Sequence, residues 1–158
     1  MIITIDGPAA AGKGTLAAKL AEKYGLAYFD TGMTYRAVGL AMTLDGRDIN
    51  DTKAAEEYAR KLTFPQMLEL AKNPEFRSSK NGVAASVVSA YPGVRQALLQ
   101  MQRDFALNPV FADGTPANGA VYDGRDTGTV VCPQADFKFF ITASPEIRAE
   151  RRFKELQA

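Results

Sequence analysis

Histidine is absent from the 158 residues of the chain, and cysteine occurs only once, as Cys132. Without histidine the chain has no serine–histidine or cysteine–histidine catalytic pair, and it lacks the commonest side chain for binding metals. A single cysteine cannot form an internal disulfide, so we expect Cys132 to be a small packed side chain. This cysteine usage is typical of a reducing compartment, and we predict a cytoplasmic location.

An excess of charge of either sign is also missing. Lys and Arg number 19 and Asp and Glu number 18, which gives a formal net charge of +1. This balance predicts neither a nucleic acid polymer nor a membrane surface as a partner. The apolar runs are far shorter than a membrane span, and no signal segment is visible before the first strand pattern. We therefore expect one domain over residues 1–158 with a sizeable core, and a monomer.

The chain alternates strand patterns with helical patterns, which is the signature of an α/β fold. Strands are predicted at residues 2–6, 27–30, 120–122 and 137–142, the last two as buried strands. Helices are predicted at residues 13–24, 32–44, 51–61, 64–71, 82–90 and 94–107. A final helix is predicted to begin at Pro145 with Ser144 as its cap. Residues 73–81 and 108–118 are polar or proline-rich, and we predict loops there.

A glycine-rich segment lies between the first predicted strand and the first predicted helix, with the sequence Gly7-Pro8-Ala9-Ala10-Ala11-Gly12-Lys13-Gly14-Thr15. In this context the pattern predicts a phosphate-binding loop, whose backbone N–H groups wrap a triphosphate while the helix N-terminus faces the anion. Lys13 is placed to reach the outer phosphates. The alternative is an ordinary turn, which accounts for one glycine but not for two with Lys-Gly-Thr following.

Residue 14 of this loop is a glycine, so no hydroxyl at that position can ligate magnesium. The sequence Gly-Lys-Gly-Thr resembles the loop of nucleoside monophosphate kinases, in which the metal is held largely through water.

A second polar cluster follows the second predicted strand and contains Asp30, Thr31, Tyr35 and Arg36. In open parallel sheets, ligands collect beyond the carboxyl ends of the strands. A guanidinium one turn into the helix can hold a phosphate through two parallel hydrogen bonds. The alternative is a helix cap followed by a surface arginine, and the pattern favours a site only because the glycine-rich loop is present.

A third cluster begins where an apolar strand ends, at Asp123. Enzymes with a phosphate-binding loop place an acidic residue at such a strand end, near magnesium or its water shell. Arg125 is a second candidate for binding a phosphate, and Asp126 can accept hydrogen bonds from an amino group. The alternative is a capped Asp-Gly turn, but the concentration of polar residues favours a site. Two further polar residues, Ser86 and Arg95, fit a base-reading role and a surface position equally well.

Together these segments resemble the cytidylate kinase family over most of the chain. The most specific match is the run from Asp123 to Val131, which other monophosphate kinases do not carry. The segments 3–15, 30–36, 85–95 and 143–152 also match. The resemblance implies a parallel sheet of the P-loop NTPase type with helices on both faces. It also implies a small helical insertion at about residues 31–107 that binds the acceptor nucleotide.

The activity that the resemblance implies is transfer of the γ-phosphoryl group of ATP to CMP or dCMP, with Mg²⁺. Lys13, Arg36, Arg125 and Asp123 would be the catalytic residues, with Asp123 supporting the metal largely through water. Residues 7–15 would bind ATP. The acceptor nucleotide would be bound by Asp30, Thr31, Tyr35, Arg36, Ser86, Arg95, Arg125 and Asp126.

Two departures from the family pattern leave alternatives open. Family members usually continue past this sequence into an arginine-rich lid and a last strand, and only Arg148, Arg151 and Arg152 lie near the expected start of that lid. Residues 51–81 show little strand pattern where many relatives place a small antiparallel sheet. The alternatives are therefore a nucleotide-binding domain with little turnover and a kinase for another nucleoside monophosphate.

Overall fold

The computed structural model describes residues 1–157. Its strands are β1 (Ile2–Asp6), β2 (Ala27–Asp30), β3 (Ala120–Gly124) and β4 (Phe137–Phe140). Its helices are α1 (Lys13–Tyr24), α2 (Thr31–Leu44), α3 (Thr52–Lys61), α4 (Phe64–Leu70), α5 (Ser79–Ser89), α6 (Pro92–Leu107) and α7 (Pro145–Gln157). The chain divides into two compact units, one made of residues 1–31 and the chain from residue 105 onward, the other of residues 32–104.

The first unit contains a four-stranded parallel sheet with the strand order β2-β3-β1-β4. Parallel strands need crossover connections, and helices lie in those from β1 to β2 and from β2 to β3, so the α/β class is confirmed. The register pairs Asp30 of β2 with Asp123 of β3, and Asp6 of β1 with Gly124. The carboxyl ends of β1, β2 and β3 therefore lie side by side, along what we call the carboxyl edge of the sheet. Each of these strands has an aspartate at or next to its carboxyl end.

Helix α1 packs on this sheet through small side chains. Ala17 and Ala21 of α1 are buried in one cluster with Ile3, Ile5 and Val121 of the strands. Alanine lets the helix backbone approach the strands closely. Because α1 begins only a short loop after β1 ends, its N-terminus lies at the carboxyl edge of the sheet. An aromatic cluster in the same unit places Phe29 and Tyr122 rings at a centroid distance of 5.2 Å and Phe29 and Phe105 rings at 4.6 Å.

The second unit, residues 32–104, is helical. Its buried core contains Val38, Met42, Ala55, Ala59, Val88, Val94 and Leu98, from α2, α3, α5 and α6. Within it, residues 51–81 form α3, α4 and a 3₁₀ turn over Pro74–Arg77, and no strand is formed there. The predicted helices therefore agree with the structure apart from their ends.

Two predictions about local structure are wrong. Strand β4 is exposed rather than buried, with Phe137 at 52% and Phe140 at 68% exposure. It lies at the edge of the sheet in the described chain and pairs only with β1, and an apolar sequence does not reveal a strand's place in the sheet. Residues 73–81 are not a loop, because their polar residues act as caps. Asn73 accepts from Glu75 N–H at 2.9 Å, and Ser78 accepts from Asn81 N–H at 3.1 Å to begin α5.

Truncation of Leu98 should test the packing of α6. Leu98 is fully buried, whereas Leu107 on the same helix is 76% exposed. We expect Leu98→Ala to lower the free energy of unfolding by about 2–5 kcal/mol, because it removes apolar contacts and leaves a cavity. The matched control Leu107→Ala should change it by less than about 0.5 kcal/mol. Urea unfolding followed by circular dichroism measures both, and equal losses would contradict the assignment of the buried face.

Candidate functional site

The loop between β1 and α1 has a backbone that requires glycine at two positions. Gly7 has φ +147°, and a Cβ atom placed there would lie 2.0 Å from the Ile141 carbonyl oxygen. Gly12 has φ +96°, in the region that side chains rarely adopt. Ala10 is also in the left-handed region, at φ 59°, which is strained for a residue with a side chain. The loop is therefore a constrained structure rather than a loose connection.

Helix α1 begins directly behind this loop. Gly12 is its N-cap residue and supplies no side-chain hydrogen bond, so no cap side chain occupies the first N–H groups of the helix. The positive end of the helix dipole lies at the same place. A helix N-terminus without a side-chain cap suits an anion such as a phosphate.

Lys13 connects the loop to the end of β3. Its Nζ donates to the Pro8 carbonyl at 3.0 Å and lies 3.8 Å from Asp123 Oδ1. Both side chains are mostly buried, with exposures of 12% for Lys13 and 13% for Asp123. A Cβ atom on Gly14 would lie 3.2 Å from Asp123 Oδ2, so the glycine that follows the lysine leaves room for this carboxylate. The pair thus brings a cation and an anion to the loop.

The charge of Asp123 is costly in the protein without ligands. Burial and, next in size, the nearby Asp30 carboxylate raise the pKa of Asp123 to about 6. Lys13 acts in the opposite direction, as does the Tyr28 hydroxyl, which lies 3.4 Å from Asp123 Oδ2. A bound cation would relieve this cost. Tyr28 was not identified from the sequence, because nothing in a strand pattern shows which residue on the next strand faces an aspartate.

The segment after β3 folds back onto the strand ends. Arg125 is exposed and Asp126 is half-buried, and Thr127–Val131 forms a single π-type turn. Such turns are frequent at functional sites. The buried Thr31 hydroxyl donates to the Asp123 carbonyl at 3.0 Å, which ties the start of α2 to the end of β3.

Two further residues of the first unit were not assigned a place in the site by the sequence. The buried Asp6 carboxylate accepts hydrogen bonds from Thr127 and Gly128 in the π-type turn. An acidic residue directly between an apolar strand and a glycine-rich loop is the signal that could have found it. Arg151 of α7 donates from Nη1 to the Ala10 carbonyl at 3.3 Å, and the sequence had related it only to the start of an expected lid.

In the second unit, Arg36 is half-buried and its position is defined by backbone contacts. Its Nη1 donates to the Phe76 carbonyl at 3.0 Å and lies 3.5 Å from the Ser78 carbonyl oxygen. Buried Asn81 donates from Nδ2 to the carbonyls of Arg36 and Phe76, at 3.1 and 2.9 Å. Asn81 was missed from the sequence, where it lay in a segment predicted as a loop.

The remaining predicted residues of this unit differ in exposure. Tyr35 is half-buried and packs against the helical core. Ser86 is exposed on α5 and Arg95 is exposed on α6. The structure therefore gathers Lys13, Asp30 and Asp123 at the sheet edge of the first unit, and it places Tyr35, Arg36, Ser86 and Arg95 in the second unit.

Residues 1–157 contain no group of three or more Cys, Asp or Glu residues arranged to hold a metal ion by themselves. None of the helices in this part of the chain is both long enough and apolar enough to cross a membrane.

Comparison with known proteins adds a family. Residues 3–158 match the family model described as cytidylate kinase. A cytidylate kinase of Rhodopseudomonas palustris is 52% identical over 158 residues, which cover 100% of this chain and 69% of that protein. Those of Azorhizobium caulinodans and Rhodospirillum rubrum are 53% and 54% identical, each over 100% of this chain and 70% of the relative. The chain therefore belongs to the cytidylate kinase family, a family of phosphotransferases.

Proposed function

We propose that the protein phosphorylates CMP or dCMP with ATP as the phosphate donor. The observation that carries this proposal is the position of Lys13 in the glycine-rich loop. Its ammonium nitrogen lies 3.8 Å from Oδ1 of Asp123, which is near the end of β3. A loop lysine beside a carboxylate at a strand end is the arrangement used to handle the outer phosphates of a nucleotide and their metal. Membership of the cytidylate kinase family supports CMP as the acceptor.

Residues 7–15 are proposed to bind ATP. Their N–H groups and the N-terminus of α1 would hold the phosphate chain, and Lys13 would stabilise the charge on the transferring phosphoryl group. The contact from Lys13 to the Pro8 carbonyl can be exchanged for a phosphate oxygen without unfolding any element, since it is a side-chain bond across the loop.

Charged and polar groups are proposed to bind the acceptor. Arg36 and Arg125 would bind its phosphate, and Asp30, Thr31, Tyr35, Ser86, Arg95 and Asp126 would contact the rest of the nucleotide. The attacking atom is an anionic phosphate oxygen, so no general base is needed and the absence of histidine is no obstacle. The protein must align two anions and reduce their repulsion, which arginine and lysine do.

The residues present fit Mg²⁺ as a partner of ATP. Mg²⁺ is usually held by one or two carboxylates together with substrate phosphates and water, so a site with few acidic ligands is sufficient. Asp123 is the proposed residue, largely through water, because its buried charge gains from a nearby cation. When bound, the metal would neutralise phosphate charge. A cytoplasmic location and a monomeric state stay predictions.

Substitution of Lys13 should test the proposal. In purified protein we expect ADP formation that requires both CMP and Mg²⁺, and we expect Lys13→Met to lower its rate by about 100-fold or more, since charge stabilisation in the transition state is lost. Lys19→Met, on an exposed position of the same helix, is the matched control and should leave the rate unchanged.

A panel of CMP, dCMP, AMP and UMP identifies the acceptor in the same assay. Turnover with AMP or UMP but not CMP would favour a kinase for another nucleotide. Binding of ATP and CMP in calorimetry without product would favour a nucleotide-binding protein with little turnover. No binding of either nucleotide to folded protein would contradict the proposal.

Arg125 should matter for the acceptor and not for the donor. We expect Arg125→Ala to raise the dissociation constant of CMP about tenfold or more, because a charge-assisted hydrogen bond contributes about 1.5–3 kcal/mol. Affinity for MgATP should change little. Arg60→Ala removes an arginine that is exposed on α3 and is the control. Titration calorimetry with each nucleotide separates the two affinities, and an equal loss of both would count against this role.

Ionisation of Asp123 should make the ligand-free protein less stable above pH 6 than below pH 4. Its pKa is about 6 in the folded state and about 3.9 when unfolded, so the folded state binds more protons between these values and stability falls as pH rises through them. Asp123→Asn should therefore be more stable than the parent at pH 7.5, by an amount of order 1 kcal/mol, and should gain nothing below about pH 4. It should also lose turnover.

Urea unfolding at several pH values, without nucleotide or metal, measures this difference. The control is Asp113→Asn, because hydrogen bonds from Thr115 lower the pKa of exposed Asp113 and its removal should bring no gain in stability. A variant Asp123→Asn that is less stable than the parent at every pH would contradict the sign of the effect.

A further inference from the structure

The proposed reaction assigns the Asp6 side chain no contact with either nucleotide, yet Asp6 is buried, at 7% exposure, and lies directly before the glycine-rich loop. Its Oδ1 accepts from the Thr127 N–H at 2.8 Å and from the Thr127 hydroxyl at 2.7 Å. Its Oδ2 accepts from the Gly128 N–H at 2.8 Å. Its hydrogen-bond donors within residues 1–157 come from two adjacent residues of one turn. The buried charge is thus compensated by that turn.

The turn fits against the end of β1 without spare room. A Cβ atom on Gly128 would lie 2.7 Å from Thr4 Oγ1 and 3.3 Å from Asp6 Oδ2. A Cβ atom on Gly124 would lie 2.5 Å from the Thr127 methyl group. The absence of side chains at both glycines lets the turn approach the strand closely enough to donate its N–H groups.

The residues held in this way adjoin the proposed acceptor residues. Thr127 follows Asp126 directly, and the Asp126 carbonyl accepts from the Val130 N–H at 2.8 Å, so Asp126 belongs to the same turn. Arg125 is the next residue toward β3. The main chain of Asp6 is held separately, because its carbonyl accepts from the Ile141 N–H at 2.8 Å. The side chain therefore holds the turn, while the main chain keeps the start of the glycine-rich loop in place.

We propose that Asp6 is a positioning residue for the acceptor nucleotide, an inference that rests on the proposed function. Its carboxylate holds Thr127 and Gly128 in place. It thereby fixes the position of the adjoining residues Arg125 and Asp126 relative to the glycine-rich loop. Loss of the carboxylate should therefore weaken acceptor binding far more than ATP binding. A purely structural role would lower stability and, in folded protein, leave the two affinities in the same ratio.

The isosteric variant Asp6→Asn separates these roles. Its amide group would set an N–H donor against the N–H of either Thr127 or Gly128, so the turn would lose at least one bond. We expect calorimetry to show CMP affinity reduced about tenfold or more and MgATP affinity changed by less than about threefold, at a temperature where each variant is folded. The control is Asp136→Asn, whose carboxylate accepts from the Ile2 N–H at 2.7 Å at the other end of β1. It should change neither affinity.

A second pair of variants tests the same contact if Asp6→Asn does not fold. Thr127→Val removes the hydroxyl bond to Asp6 and keeps the backbone bond, whereas Thr127→Ser keeps both. We expect Thr127→Val to weaken CMP binding by about threefold or more and Thr127→Ser to bind CMP as the parent does.

The outcomes are distinguishable. Unchanged CMP affinity in folded Asp6→Asn, an equal loss of both affinities, or equal CMP affinities of the two Thr127 variants would overturn the positioning role and leave the proposed function standing. Failure of the parent protein to bind CMP would instead overturn the proposed function, and the inference with it.

Discussion

Carboxylate charge at the carboxyl edge of a parallel sheet is the constraint on which the rest of this structure depends. The register of β1, β2 and β3 brings Asp6, Asp30 and Asp123 to neighbouring positions. Negative charges that are close and buried repel one another and lose hydration, so each needs compensation. Asp6 obtains it from the hydrogen bonds of a turn, and Asp123 obtains part of it from Lys13 and Tyr28.

The unequal compensation separates the roles of these aspartates. Asp6 accepts three hydrogen bonds from one turn, whereas the pKa of Asp123 is raised to about 6 despite its contacts with Lys13 and Tyr28. A buried carboxylate with a raised pKa beside a glycine-rich loop is the arrangement expected at a functional site. The same edge carries the N-terminus of α1, so fixed positive and negative groups lie side by side there, as the proposed function requires.

Much of this could be predicted from the sequence. The glycine-rich loop, Lys13 and the acidic end of β3 follow from local patterns, because strand, loop and helix are neighbours along the chain. The wrong prediction of a loop at residues 73–81 has a local cause. Asn73 and Ser78 are capping residues, and a prediction based on composition assigns such polar residues to a loop. The exposure of β4 has no local cause, because Phe137 and Phe140 are apolar whether or not another element covers them.

By itself, the sequence determined the α/β class, the glycine-rich loop before α1 and the family, since short contiguous segments indicate each of them. Only the tertiary structure decided that Asp6 reaches Thr127, which is 121 residues away along the chain, and that Tyr28 faces Asp123. The physical reason is that strand order and register join distant segments. Whether a buried carboxylate meets donors, a cation or another carboxylate depends on that joining and on no local pattern.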